Sequence, residues 1–238
     1  MTKELVIGVL GGMGPEATAN CFAKLIKNTP AGCDQEHLKI VIVSNPKIPD
    51  RTQAVLENGP SPVPALRQGV EALKNAGADF VIIPCVTVHY FLDELLEQCG
   101  LPVLSILDAV SENIRRHHPT IKTVGLLGTS GTVQSKIFQK RLAVEGIDTL
   151  VCSDSRQQQI MAAIYDIKNK TTSRSPADIT DSLSEAASHL VRRGAQGIIA
   201  GCTEIPLALA QKDVSVPYFD SLQILARAAI RRAGRKPV

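Results

Sequence analysis

Short apolar runs alternate along the chain with longer stretches in which apolar positions recur every three or four residues. The short runs are LVIGVL (5–10), KIVIVS (39–44), DFVIIP (79–84), PVLSI (102–106), TVGLLG (123–128), GIIAG (197–201) and PYFD (217–220). They show little polar alternation, which predicts strands buried on both faces. Between them PEATANCFAKLIKN (15–28), PVPALRQGVEALKNAG (62–77) and DITDSLSEAASHLVRRG (178–194) read as helices with one apolar face. A β-α-β-α order of this kind predicts parallel sheets, right-handed crossovers and ligand sites at the C-terminal ends of strands.

The pattern also repeats. VIGVLGGMGPEATANCFAKL (6–25) resembles TVGLLGTSGTVQSKIFQKRL (123–142), so that Gly8, Gly11 and Gly14 match Gly125, Gly128 and Gly131 at a constant offset of 117. AGADFVIIPCVTV (76–88) resembles RGAQGIIAGCTEI (193–205) at the same offset, which pairs Gly77 with Gly194 and Cys85 with Cys202. A duplicated unit of this size predicts an α/β fold of two similar doubly wound lobes with parallel sheets. A pseudo-twofold axis would relate them, with the active site in the cleft between. The expected division is residues 1–108 plus 217–238 for the lobe carrying Cys85, and 109–216 for the lobe carrying Cys202. Duplicated core residues would also produce a matched cysteine pair, since free cysteine packs well in cores. The placement of both thiols at strand ends favours chemistry over packing.

Composition narrows the functional classes. The chain of 238 residues is 44% hydrophobic and 21% charged, enough for a sizeable core. No apolar run approaches the ~20 residues of a membrane span, and MTKELVIGVLGG lacks the features of a cleaved leader. A cytoplasmic protein with no membrane association is expected. The net charge of +3 is local: Arg227, Arg231, Arg232, Arg235 and Lys236 lie in the last twelve residues, and the remainder carries −2. With no Trp and 3% aromatics there are few surfaces on which bases could stack, so no nucleic acid partner is expected. Six cysteines without a CxxC spacing predict neither a disulfide framework nor a zinc site, and the pair Cys33 and His37 supplies too few ligands for a metal.

Further motifs sharpen the expected cleft. Gly12-x-Gly14-x-x-Ala17 follows a strand and precedes a helix, as in dinucleotide sites. The next strand ends in Ser44-Asn45, without the acid that would hold a ribose. The loop around Met13 is therefore read as a tight turn whose backbone N–H groups face an anionic group. GTSGT (128–132) places Thr129 and Thr132 where their hydroxyls reach a carboxylate or simply close a turn. His89 stands where it orients a substrate, tunes Cys85, or packs at a helix start. Asp50 and Arg51 in NPKIPDRTQAVL (45–56) and Lys168 in IYDIKNK (164–170) are ordinary surface charges unless the ligand carries carboxylates, which a guanidinium grips with two parallel hydrogen bonds.

LGGMGPEAT (10–18), IPDRT (48–52), PCVTVH (84–89), IYDIKNK and AGCTEIPLAL (200–209) occur in the order in which they occur in the aspartate/glutamate racemase family, which the sequence resembles over nearly its whole length. Within that family the residues look most like those of the aspartate-specific members. The resemblance implies racemisation without cofactor by two cysteines on opposite faces of Cα, here Cys85 and Cys202, with Cys202 serving the L-isomer and Cys85 the D-isomer. It implies recognition of the substrate carboxylates by Arg51 and Lys168, and contacts to the amino acid from Thr87, Thr203 and the Met13 loop. It also implies a homodimer and a last helix that returns to the first lobe. Val86 stands where the family usually has Asn, which removes an amide from the expected substrate-binding set. Helix starts after both cysteines would lower the thiol pKa. Alternatives remain within these residues: a hydantoin racemase, a maleate isomerase, or an amino-acid-binding protein without catalysis.

Overall fold

A computed structural model describes residues 4–97, 99–168 and 172–238. The first half runs β1 (Ile7–Gly11), α1 (Pro15–Asn28), β2 (Ile40–Ser44), α2 (Arg51–Leu56), α3 (Val63–Asn75), β3 (Phe80–Ile82), α4 (Leu92–Leu96), β4 (Val103–Leu104) and α5 (Ile106–His117). The second half runs β5 (Thr123–Leu127), α6 (Ser130–Gln134), α7 (Ile137–Ala143), β6 (Asp148–Leu150), α8 (Asp154–Lys168), α9 (Pro176–Arg192), β7 (Ile198–Ala200), β8 (Tyr218–Asp220) and α10 (Ser221–Arg232). The strands form two parallel four-stranded sheets of identical order, β2-β1-β3-β4 and β6-β5-β7-β8. This is the two-lobed α/β architecture that the repeat predicts.

Local chemistry sets the helix boundaries. Polar side chains just outside the first turn accept otherwise unpaired N–H groups. Ser105 caps α5 by accepting from Leu107 and Asp108, and Asp220 caps α10 by accepting from Gln223. Asp50 caps α2 through Gln53, and Ser175 forms a reciprocal capping box with Asp178 at α9, where Pro176 takes the first helical position. Helix α1 begins at Pro15 without a side-chain cap.

Successive side chains of the central strands point into different cores, as strand geometry requires. Ile7 and Val9 of β1 and Val124 and Leu126 of β5 enter one central core that both sheets share. It is filled by Leu25 of α1, Ile106 and Val110 of α5, Phe138 of α7, and Leu222 and Leu225 of α10. Leu10 and Leu127 point the other way, into two outer cores beneath α3 and beneath α8 and α9.

The helices of the central core are exchanged. Helix α5 leaves the first sheet after β4 and packs on α7 of the second lobe, while α10 leaves the second sheet after β8 and packs on α1 of the first. The helix ends carry matching aromatic contacts: the Arg232 guanidinium lies 5.0 Å from the Phe80 ring centroid, and the His118 ring meets Phe219 edge-on at 5.2 Å. The basic C-terminal stretch is thus tied to the first lobe, and Arg235 adds a 2.8 Å ion pair to Glu4.

Tyr218–Asp220 pairs with β7 in the second sheet, and α10 follows directly at Ser221. Two expectations are corrected in detail. The strand β6 had no counterpart in the apolar runs, because it is a three-residue edge strand whose residues are partly or fully exposed. Strand β2, expected to be buried on both faces, is an edge strand with Ile42 exposed. No helix among the described residues is long and apolar enough to cross a membrane.

Because the central core belongs to both lobes, Phe138→Ala should lower stability by about 3–5 kcal/mol. Urea unfolding followed by circular dichroism should show one shifted transition; two separated transitions would show that the lobes have independent cores.

Candidate active site

Both repeated cysteines lie just past the C-terminal ends of equivalent strands, Cys85 after β3 and Cys202 after β7. Each backbone turns sharply there into a short 3-10 helix, Thr87–Phe91 in the first lobe and Ile205–Leu207 in the second. The thiols are 6% and 5% exposed and line a single cleft between the lobes. Met13, Arg51, Val86, Thr87, Lys168 and Thr203 line the same cleft, so all eight residues selected from the sequence come together. Asp50, Met161, Ile164 and Tyr165 join them. The volume left free is about 20 Å³, room for roughly one water. The described conformation is closed, and admission of anything larger than a water requires the walls to part.

The closed cleft is held by hydrogen bonds that cross between lobes. The Thr203 hydroxyl donates to the Pro84 carbonyl at 3.1 Å. The Thr87 hydroxyl lies 2.9 Å from those of both Thr129 and Thr132, which are 3.1 Å from each other. On the opposite side the Gly14 N–H donates to Glu204 Oε1 at 3.2 Å. These contacts obey the repeat: Gly14 faces Glu204, and a Cβ built on Gly131 would stand 2.9 Å from Thr87. Residues 14 and 131, and likewise 87 and 204, differ by the same 117 positions. The pseudo-twofold axis therefore passes through the cleft.

The Met13 loop was expected to present N–H groups to an anion, and the anion it meets is the chain's own Glu204. Gly12 makes the loop possible: its φ is +99°, and a Cβ there would lie 2.3 Å from the Asn45 backbone. Thr129 and Thr132, candidates for a carboxylate, instead spend their hydroxyls on Thr87. Thr129 also caps α6 by accepting from the Thr132 N–H.

Glu204 was not selected from the sequence, and it dominates the electrostatics. It is 3% exposed. Its Oε2 accepts from Cys202 Sγ at 2.9 Å, and its Oε1 lies 3.5 Å from Lys168 Nζ. Burial first, and then the negative charge of Glu204, push the Cys202 thiol well above its usual range, against the opposing pull of Lys168. A lowered thiol pKa was expected at this position; burial first, and then the neighbouring carboxylate, reverse that expectation. Burial alone would lower Lys168, but Glu204 and the two thiols outweigh it and raise its pKa. The available signal was Glu in the second position after a repeated cysteine, where the first lobe has Thr.

Arg51 occupies the other side of the cleft. Its Nη1 donates to the Ile48 and Pro49 carbonyls at 3.2 and 3.0 Å, while its buried Nε has no partner. A half-buried guanidinium with a buried spare donor is suited to an incoming carboxylate.

His89 proves to be a positioning residue. The Ile106 N–H donates to its Nε2 at 3.2 Å, which leaves Nδ1 carrying the proton it gives to the Cys85 carbonyl at 2.9 Å. Burial lowers its pKa to about 4, so the ring is neutral near pH 7. It fastens the turn after Cys85 to the start of α5. Of the remaining cysteines, Cys21 sits in the central core with its pKa raised to about 12 by burial, Cys152 is buried, and Cys33 is exposed.

The model of the Asp/Glu/hydantoin racemase family matches residues 10–229. The chain belongs to that family. Among proteins of known sequence it is 29% identical over 231 residues to the broad specificity amino-acid racemase RacX of Bacillus subtilis, covering 94% of this chain and 96% of that one. Among solved structures it resembles the aspartate racemase of Picrophilus torridus at 30% identity and a TM-score of 0.87, covering 98% of this chain and 96% of that one. An aspartate racemase homologue from Pyrococcus horikoshii matches at 28% identity and a TM-score of 0.76, over 99% and 100% of the two chains.

The buried histidine predicts acid sensitivity. Its folded pKa, about 4, lies below the ordinary 6.5, so the unfolded chain binds the extra proton first as pH falls. The contribution is complete above pH 6.5 and is lost between 6.5 and 4, for a total of about 3 kcal/mol. Urea midpoints at pH 7, 5.5 and 4 should show this loss, and His89→Gln should flatten that part of the profile.

Proposed function

We propose that the protein interconverts L- and D-aspartate without a cofactor, by removal of the α-proton on one face and its return on the other. The observation that carries this reading is the convergence of Cys85 and Cys202, from equivalent strand ends of two repeated lobes, on one cleft that also holds Arg51 and Lys168. Arg51, with its unpaired Nε, takes the side-chain carboxylate. Lys168 and the backbone N–H groups of the turns after the cysteines bear on the α-carboxylate, where negative charge gathers as the proton leaves. A thiolate on one side removes the proton, and the thiol opposite supplies another. Exclusion of water strengthens each of these charge contacts.

A second reading concerns breadth of substrate. Lys168 already shares its charge with Glu204, and Val86 and Met161 present apolar surface to the cleft. Together with the similarity to a broad specificity racemase, this supports turnover of amino acids with smaller or uncharged side chains. A panel of amino acids assayed by circular dichroism separates the two readings, and Arg51→Met should raise KM for aspartate about tenfold or more while leaving uncharged substrates little affected.

The decisive measurement is α-proton exchange in deuterated water from each enantiomer of aspartate. Cys85→Ser and Cys202→Ser should each lower racemisation by at least about a thousandfold. Retained racemisation in both variants would overturn the two-thiol mechanism.

A further inference from the structure

Five basic residues lie in the last twelve positions of the chain, and two of them have an evident structural task. Arg232 lies over the Phe80 ring, and Arg235 pairs with Glu4. Arg227, Arg231 and Lys236 have no carboxylate partner among the described residues. All three line one open groove of about 490 Å³ between α5 and α10, and Asn113, Arg116 and His117 of α5 face them. We propose that this groove binds a soluble polyphosphate: inorganic triphosphate or the triphosphate group of a nucleotide. The proposal does not depend on the racemase reading.

The charge in the groove is of one sign. No Asp or Glu among the described residues lines it. Arg227 and Arg231 stand four apart on α10, a spacing at which like charges share one helix face and repel. Arg116 has only a loose contact to Glu112, 4.0 Å between two exposed side chains. The helix dipoles offset part of this charge, since each C-terminus carries roughly half a negative charge that is felt within the last turn. Those last turns hold Arg116, His117 and Arg231. Arg227 stands before the last turn of α10 and Lys236 beyond it. Four permanent cations therefore meet about one unit of negative charge from the two helix ends.

The donors suit phosphate. A guanidinium grips phosphate oxygens with paired N–H groups, and a lysine adds a compact charge. The half-buried Asn113 amide makes no hydrogen bond among the described residues, so a neutral donor is also free in the groove. The nearby Gln223 amide, by contrast, is spent on Asn28. A single phosphate carries at most about two negative charges, too few for four cations on two walls. A chain of phosphates reaches Arg116 on one helix and Arg227 and Arg231 on the other. The cations surround one concavity of small-ligand size rather than forming an extended stripe.

The groove is separate from the active site. Both helices begin beside the cleft, α5 where the Ile106 N–H meets His89 and α10 directly after β8. At about 1.5 Å per residue, their far ends lie roughly 15 Å from it. Because α5 and α10 are the helices exchanged between lobes, a ligand held by both braces the shared core.

Calorimetric titration of the full chain with sodium triphosphate in about 150 mM salt should give one site, with Kd on the order of 10–100 µM. Arg116→Gln on α5, and Arg227→Gln and Arg231→Gln on α10, should each weaken binding about tenfold, because each removes a charge-assisted contact. All three side chains are exposed, so these variants keep the fold. Arg192→Gln, at the end of α9, should leave the affinity unchanged. ATP, titrated in the same way, distinguishes the sources: affinity equal to or tighter than that of triphosphate identifies a nucleotide, and binding of triphosphate alone identifies the inorganic form. Absence of triphosphate binding below about 1 mM would overturn the proposal. So would affinity that is unchanged in the three groove variants, or lowered equally by Arg192→Gln. A silent triphosphate titration beside Arg227-dependent binding of a DNA oligonucleotide or of phosphatidylglycerol vesicles would overturn it too, and would assign this face to a macromolecular surface.

Discussion

The rest of the structure depends on the core that the two sheets hold in common. Alternate side chains of β1 and β5 point toward each other across it, and the helices that fill the space come from both halves of the chain. Since α5 and α10 each leave one sheet and pack against the other lobe, neither lobe can bury its inner face without its partner. Burial of apolar area is the dominant favourable term in folding, and here it acts across the symmetry axis rather than within each repeat. The cleft forms on that axis because the strand ends that flank it are fixed by the same core.

The character of the site follows from this arrangement. A cleft bounded by two rigid sheets and closed by hydrogen bonds between lobes excludes water, so the few charges inside it act at short range with little screening. The cost is that each charge must be matched. Lys168 is matched by Glu204, and Glu204 is matched again by the Gly14 N–H and the Cys202 thiol. Arg51 keeps one buried donor unpaired. A pocket whose charges are nearly balanced, except for one guanidinium nitrogen, selects by geometry at that nitrogen more than by total charge.

Much of this was legible in the amino-acid sequence, because apolar runs and a constant repeat offset are coarse signals that packing cannot easily override. Seven of the eight strands among the described residues follow from apolar runs, and the cysteine pair follows from the offset. The missed strand, β6, has no buried residue, so nothing apolar announces it. The sheet that β8 joins is not legible in the same way, because the run looks the same in sequence whichever sheet it enters. Glu204 was passed over for a different reason. A carboxylate in a sequence is presumed to face solvent, and only the fold reveals that this one is buried against a thiol and an ammonium. The same fold turned Thr129, Thr132 and His89 from candidate ligand contacts into fastenings of the cleft.

The three threonine hydroxyls form a closed ring, in which each can give one proton and receive another. Thr129 donates to Thr132, so the ring runs in one sense, from Thr129 to Thr132 to Thr87 and back, and leaves no hydroxyl proton spare. Two of its three links cross between the lobes. Parting the lobes therefore strips Thr87 of both neighbours in one event, while Thr129 and Thr132 keep each other. The ring works as a clasp with a single release: the moment of opening is also the moment at which one hydroxyl, beside Cys85, becomes free to greet whatever enters.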